Sequence, residues 1–185
     1  REECARPLAA VSARVYLHTV VSELASTLLE HWLTHYEALG VRIRSHAHIV
    51  VHQSQSTASA AMSILERRGL SASRVVRGQF DPRLRMELVN AFLAELPEGA
   101  WLINADADEH FAFPCDVSAW LARRDTAEPG AAALCGWMNT RYARSRLLAP
   151  VEPYPPIGEQ FPLCQRADGQ RQARKLTKIV LLPAR

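Results

Sequence analysis

Three carboxylates, Asp106, Asp108 and Glu109, follow directly on a short apolar run, Trp101-Leu102-Ile103-Asn104. Such a run marks a buried strand, and acids carried at the C-terminal end of a strand build ligand sites in α/β folds. One residue separates Asp106 from Asp108, so on an extended chain both side chains project to the same side. Two hard oxygen donors so placed repel each other unless a cation lies between them. Mg2+ or Mn2+ suits such a pair, with phosphate oxygens completing the shell. The chemistry implied is a metal–diphosphate site. Acids after a strand also serve simply as turn formers or helix caps, and the surrounding elements must decide between the two uses.

Those elements alternate. Val11 to Val21 reads as a first strand, and a helix follows from about Ser22, with Leu24, Leu28, Leu29, Trp32, Leu33, Tyr36 and Leu39 at helical spacing. Gly40 suits the helix stop. Ala47 to His52 reads as a second strand, and Ser54 or Ser56 as the cap of a helix that runs to Arg68 and closes at Gly69. A short extended piece, Ser73 to Val76, leads to Asp81-Pro82, which opens a helix striped by Leu84, Leu88, Val89, Phe92 and Leu93. Pro97-Glu98-Gly99 ends that helix and the Trp101 strand follows. The order β-α-β-α-β-α-β predicts an α/β fold with a mainly parallel sheet and helices on its faces. Beyond Pro114 the pattern loosens to a short helix, Val117 to Arg123, a strand, Ala131 to Met138, and a proline-rich loop, Leu148 to Pro162. A last strand, Leu176 to Leu182, stops near the terminus with nothing after it to cover it, so the domain reads as truncated at its C-terminal end.

At 185 residues, 48% hydrophobic and 22% charged, residues 1–185 suit one globular domain, complete or partial. No apolar run approaches the ~20 residues of a membrane span, and no signal peptide is visible. The net charge of +3 is modest, and the densest basic stretch, Arg166 to Lys178, lacks interleaved aromatics, which argues against a nucleic-acid surface. Cys4, Cys115, Cys135 and Cys164 form no CxxC pair, which argues against a zinc cluster and leaves buried thiols or disulfides open. Glycine-rich dinucleotide and Walker-type phosphate loops are absent, so any bound phosphate must be held by metal and basic side chains.

With these elements in place, the chain resembles the nucleotide-sugar glycosyltransferases of the GT-A fold, in particular the group around families 2 and 92. His35-Tyr36-Glu37-Ala38-Leu39-Gly40-Val41 resembles the "HY-x-x-LGV" segment, and Trp101 to Phe113 the "W-x-x-x-x-D-x-D-E-F" metal segment. Glu23 matches the acid of an "N/D-E" element, and Asn90 an asparagine on the helix before the metal strand. Gly136-Trp137-Met138, Glu159-Gln160-Phe161-Pro162 and Thr177-Lys178-Ile179 resemble later landmarks. The resemblance implies transfer of a sugar from a nucleotide-diphosphate donor to an acceptor hydroxyl on a glycan, lipid or protein. It implies Mn2+ or Mg2+ at Asp106 and Asp108, with Asp108 the direct ligand, Asp106 acting through water or on the donor ribose, and Glu109 bracing the turn. Glu23, Gln53, Arg85, Asn90 and Asp106 are the implied donor contacts. Location would be a secretory lumen in a eukaryote or the cytoplasm in a bacterium.

The departures are specific. The "D-x-x-S-T-D" element reads Gln53-Ser54-Gln55-Ser56-Thr57-Ala58, leaving the Gln53 amide to meet the base. His110 replaces a phenylalanine, Thr140 stands where an aspartate precedes Arg141, and the downstream histidine segment falls beyond Arg185. These substitutions define the alternative, a catalytically degenerate sugar- or nucleotide-binding domain.

Other clusters read more simply. His31 and His35 are spaced i, i+4, but the glutamate of a zinc protease is missing, so they read as surface or core histidines. His46, His48 and His52 alternate along the second strand, either as a metal row or as imidazoles of an edge strand facing solvent. Asp106 with Glu109 is too close in sequence for the opposed carboxyls of a glycosidase. Cys115 beside His110 reads as a buried thiol rather than a nucleophile. Trp32, Trp101, Trp120 and Trp137 read as core, with Trp137 also placed to stack on an acceptor.

Overall fold

The computed structural model describes residues 13–23, 26–54, 59–127, 134–137, 139–142, 150–166 and 177–183. In chain order the elements are β1 (Val15–Ser22), α1 (Ser26–Ala38), α2 (Ile43–His46), β2 (Ala47–Gln53), α3 (Ala60–Arg67), β3 (Arg74–Arg77) and α4 (Pro82–Glu95). They continue as β4 (Trp101–Asn104), α5 (Val117–Ala127), β5 (Leu134–Trp137), β6 (Asn139–Tyr142), α6 (Ile157–Gln160), β7 (Leu163–Arg166) and β8 (Thr177–Pro183). Six strands form one sheet in the order β3-β2-β1-β4-β8-β5, and β6 pairs with β7 separately. The first four are all parallel, whereas β8 runs antiparallel to β4 and to β5. The fold is therefore α/β with a mainly parallel sheet.

The parallel half explains the placement of its helices. From β1 the chain steps outward to β2 and β3, then returns across β1 to β4, so the strand order reverses between β1 and β4. Crossovers of constant right hand put helices made on the outward steps on one face and the helix of the return step on the other. Packing agrees. Leu17, Val21, Ile49, Val51, Trp101 and Ile103 face α1, α3 and α5 through Leu29, Trp32, Leu33, Tyr36, Ile64, Leu65 and Leu121. The alternate residues Tyr16 and Leu102 meet Val89, Phe92 and Leu93 of α4 and Leu96 just beyond it. Helices cover both faces, as the alternating pattern predicts.

Local chemistry sets the ends. Asp81 Oδ1 accepts from the Arg83 amide and Pro82 opens α4. Gly40 lies at φ +87°, and a Cβ there would run into the Asp116 carboxylate, so both backbone and space require glycine.

Several expectations need correction. Ser59, not Ser54 or Ser56, caps α3 by accepting from Met62 N–H at 3.2 Å; Ser54 Oγ is taken by Glu23 instead. His46 closes the helical turn α2 and is not in a strand, and β2 is an inner strand between β3 and β1 rather than an edge. The last strand, β8, lies inside the sheet and is paired on both sides, a position its place at the end of the sequence does not announce. The proline-rich loop contains the short α6, and β6 and β7, which periodicity does not reveal, pair antiparallel.

Candidate functional site

A reversal of strand order opens a crevice at the C-terminal ends of the two strands that flank it, because the connections there leave in opposite directions. Here those strands are β1 and β4, so Glu23, just after β1, and Asp106 to Glu109, just after β4, border the same crevice. Pairing with β1 extends one residue past β4, Ala105 N–H donating to His18 O at 3.1 Å. The chain then folds into a turn. Glu109 N–H donates to Asp106 O, and Asp106 N–H donates to Glu109 Oε2, both at 2.9 Å. The acids therefore lie in a closed turn, not side by side on an extended chain, because Glu109 captures the amide that would have continued the strand.

The acids have different surroundings. Asp106 is two-thirds buried and ion-paired with Arg85 of α4. The Asp108 side chain is exposed at the turn and makes no hydrogen bond or ion pair to the described residues. Arg85 shares a helix face with Leu88 and Val89, three and four residues on, both buried against the sheet, and this aims it at the strand ends.

Helix α1 clamps the far side of the turn. The Tyr36 hydroxyl donates to Glu109 O at 3.1 Å and accepts from Phe111 N–H at 3.3 Å. His35 Nε2 donates to Phe111 O at 2.9 Å, which fixes its tautomer. Burial lowers the His35 pKa, against the pull of the Phe111 carbonyl and with help from Arg141. Burial likewise brings His110 down to about 4, with His35 and His31 adding to the effect. His31 donates to Glu152 O at 2.7 Å and ties α1 to the loop before α6. The i, i+4 histidines thus bind backbone carbonyls.

At the end of β1, Glu23 is 6% exposed. Its Oε1 accepts from Ser54 Oγ at 2.7 Å, while its Oε2 is buried without a hydrogen-bond partner among the described residues. A buried acceptor left unpaired is costly, and ligand N–H groups are the chemistry that would relieve it. Gln53 is half-buried at the end of β2. Asn90 is exposed on α4, five residues after Arg85 and so about 140° around the helix from it.

One buried pair escapes sequence reading. His18 is 1% exposed, and its Nδ1 lies 2.8 Å from His48 Nδ1, so one ring donates and the other accepts. His48 stacks on Phe92 of α4 at 4.4 Å between centroids. Burial, then His48 and Arg85, brings the His18 pKa down to about 3. The signal lies in register: β1 and β2 set His18 directly beside His48. The alternating histidines are accordingly neither a metal row nor a solvent-facing edge: His48 packs on α4, and His52, 8% exposed, meets Phe80 edge-on at 5.5 Å. Cys115 is disulfide-bonded, which corrects the free-thiol reading and removes it as a nucleophile. Trp32 and Trp101 are core, at 0% and 4% exposed, whereas the Trp137 side chain lies outside the described residues.

Among the described residues no three or more His, Cys, Asp or Glu side chains converge as a metal cage. A hard cation held by one or two carboxylates, with phosphate and water completing its shell, needs no such cage, and the open Asp108 beside Asp106 fits that chemistry.

No family model matches the chain, and no curated protein does. Among solved structures it is similar to a mannosyltransferase from Pyrobaculum calidifontis in complex with GDP-Man and Mn2+, at 20% identity and a TM-score of 0.41 over 71% of this chain. It is also similar to 4-diphosphocytidyl-2C-methyl-D-erythritol synthase, at 16% identity and a TM-score of 0.36, covering 94% of this chain and 76% of that one. A third likeness is to OtsA in its apo form, at 12% identity, a TM-score of 0.26 and 70% of this chain. The chain spans 39% of the length of the mannosyltransferase and 41% of that of OtsA.

Proposed function

We propose that residues 1–185 form a GT-A-like glycosyltransferase domain that moves a sugar from a nucleotide-diphosphate donor to an acceptor hydroxyl. The observation that carries this reading is the Asp106–Glu109 turn, set at the β1–β4 reversal and joined to Arg85. Asp106 and Asp108 are the carboxylates of a Mn2+ or Mg2+ site. Bound there, the cation would neutralise charge developing on the leaving diphosphate. Glu109 holds the turn through the Asp106 amide, and Tyr36 and His35 fix that turn against α1. Glu23 and Gln53 are assigned to the base and ribose, and Arg85 to the diphosphate. A role for Asn90 requires the donor to extend along the outer face of α4. The acceptor is a hydroxyl of a glycan, lipid or protein. Among the described residues no helix is long and apolar enough to cross a membrane.

The test is calorimetric titration of UDP and GDP with and without Mn2+, on the wild type and on Asp108→Asn, followed by donor turnover. Manganese-dependent binding that weakens in the variant supports the donor site. No binding by a folded chain overturns it. A second reading, a degenerate nucleotide- or sugar-binding domain, is favoured by Gln53 standing where an acid would meet the base. It predicts the same binding with no turnover. The Cys115 disulfide favours an oxidising compartment, so of the two locations we propose the secretory one. A Cys115 that alkylates without prior reduction in freshly lysed cells would refute this.

A further inference from the structure

Segment 150–162 takes no part in the donor site, yet a single side chain holds it in one shape. Gln160 Oε1 accepts from Glu152 N–H at 2.9 Å, and Gln160 Nε2 donates to Glu152 O at 2.8 Å and to Pro155 O. Five prolines among these thirteen residues remove most of the remaining backbone freedom. The loop so buckled presents Tyr154 at 80% exposed, above every other large hydrophobic side chain of the described residues. A ring left in water adds nothing to the fold. Held out on a fixed loop, it loses little entropy when a ligand covers it. We propose that this loop is the acceptor platform and that Tyr154 stacks on a pyranose ring of a neutral glycan. The inference rests on the glycosyltransferase reading above and narrows its acceptor from glycan, lipid or protein to glycan.

Position and chemistry both fit. Helix α1 follows the C-terminal end of β1 and so begins at the crevice, and His31 lies five residues, about 7.5 Å, along it. The His31 bond to Glu152 O, at 2.7 Å, moors the loop to that stretch, while Arg141 donates to Phe161 O at 3.3 Å behind it. With the nucleoside and diphosphate assigned to the ends of β1, β2 and β4, a second substrate has to enter over the rim, and the loop stands on it. An aromatic face, negative at its centre, attracts the C–H groups that line one side of a pyranose. Carboxylates accept from sugar hydroxyls, and Glu152 and Glu159 stand exposed in the same loop. Segment 150–162 carries these two acids and no Lys, Arg or His, in a chain of net charge +3. That local charge repels the phosphate of a lipid carrier or an acidic peptide, which favours a neutral sugar.

Saturation-transfer NMR and titration of maltose, cellobiose, lactose and diacetylchitobiose read the platform, with octanol and a serine-rich peptide as rival acceptors. GDP or UDP with Mn2+ is titrated in parallel. The proteins are wild type, Tyr154→Ala, Tyr154→Phe, Gln160→Ala and the Tyr154→Ala/Gln160→Ala double variant, each checked by circular dichroism. At least one disaccharide should bind, and Tyr154→Ala should weaken it about 10-fold or more, as loss of a tyrosine anchor does. Tyr154→Phe should stay within about threefold of wild type, because the ring face rather than the hydroxyl makes the contact. Gln160→Ala should also weaken sugar binding, and the double variant should lose little beyond Tyr154→Ala alone, since the buckle acts through the ring. Nucleotide binding should be the same in all of them. Sugar binding untouched by Tyr154→Ala overturns the platform and leaves the donor site standing. So does failure of every sugar, whether or not octanol or the peptide binds. Additive losses in the double variant would show that Gln160 does not position the ring and would overturn the buckle. If nucleotide fails to bind while a sugar binds through Tyr154, the transferase reading falls and a carbohydrate platform remains. If neither sugar nor nucleotide binds, both fall.

Discussion

On the α1 side of the sheet, Leu17, Val21, Ile49 and Val51 meet Trp32, Leu33 and Tyr36 in a dry apolar layer; on the α4 side, Tyr16, His18 and His48 meet Phe92 in an aromatic layer that carries ring nitrogens. The first layer holds the fold and, through Tyr36 and His35, the shape of the acidic turn. The second gives up some apolar burial and sets Arg85 over the strand ends. A buried polar layer costs least when its groups are paired and uncharged; the Nδ1 atoms of His18 and His48 pair with each other and burial keeps His18 neutral, while the buried His18 Nε2 has no partner among the described residues. The lesson is that one face supplies stability and the other supplies charge placement, and the two can be disturbed separately.

The largest separation should come from Trp32→Ala. Trp32 is fully buried, so its removal should cost about 3–5 kcal/mol and unfold much of a marginal domain, measured by denaturant melts. Survival of this variant with an unchanged midpoint would erase the distinction between the faces.

The second perturbation is acid. With the folded pKa of His18 near 3 and an ordinary value near 6.5, the unfolded chain binds more protons between those limits. Stability contributed by the neutral ring is therefore complete above about pH 6.5 and is lost as pH falls toward 3, at up to about 1.4 kcal/mol per pH unit. Denaturant melts at successive pH values should show this slope, and His18→Leu should flatten it. An equal slope in the variant would assign acid sensitivity elsewhere.

A smaller effect is expected from Tyr36→Phe, which keeps the ring in the apolar layer and deletes its two contacts to the turn. It should cost about 1 kcal/mol while weakening Mn2+-dependent nucleotide binding more than its stability loss suggests. Loss of stability with unaltered binding would show that the clamp serves the fold alone. Ser59→Ala, which removes the cap of α3, should cost about 1 kcal/mol in denaturant melts.

How far the sequence reveals these layers follows from locality. Most strands and helices through β4 are legible because they bury their own stripe, so Leu88 with Val89, or Ile49 with Val51, announces a face without reference to distant chain; the exceptions are the short α2, and β3, which buries no side chain. The acidic turn is legible as a cluster, but not its conformation, since nothing in Asp106-Ala107-Asp108-Glu109 tells that Glu109 will take the Asp106 amide. Arg85 can be guessed from its place on α4, yet its partner is fixed only by the return crossover of that helix. His18 and His48 lie thirty residues apart and become a pair only once β1 and β2 share a register. Position β8 is the least legible, because an antiparallel strand inserted between two earlier ones depends entirely on non-local pairing.

That insertion has a consequence for synthesis. β4 and β5 touch through β8 and not through each other, so a ribosome delivers both before the strand that joins them exists. Until residues 177–183 emerge, the exposed border of β4 offers its backbone to any extended chain nearby, and β5 lacks its sheet neighbour. β8 is the keystone of the nascent sheet, and a chaperone that shields β4 would act in that interval.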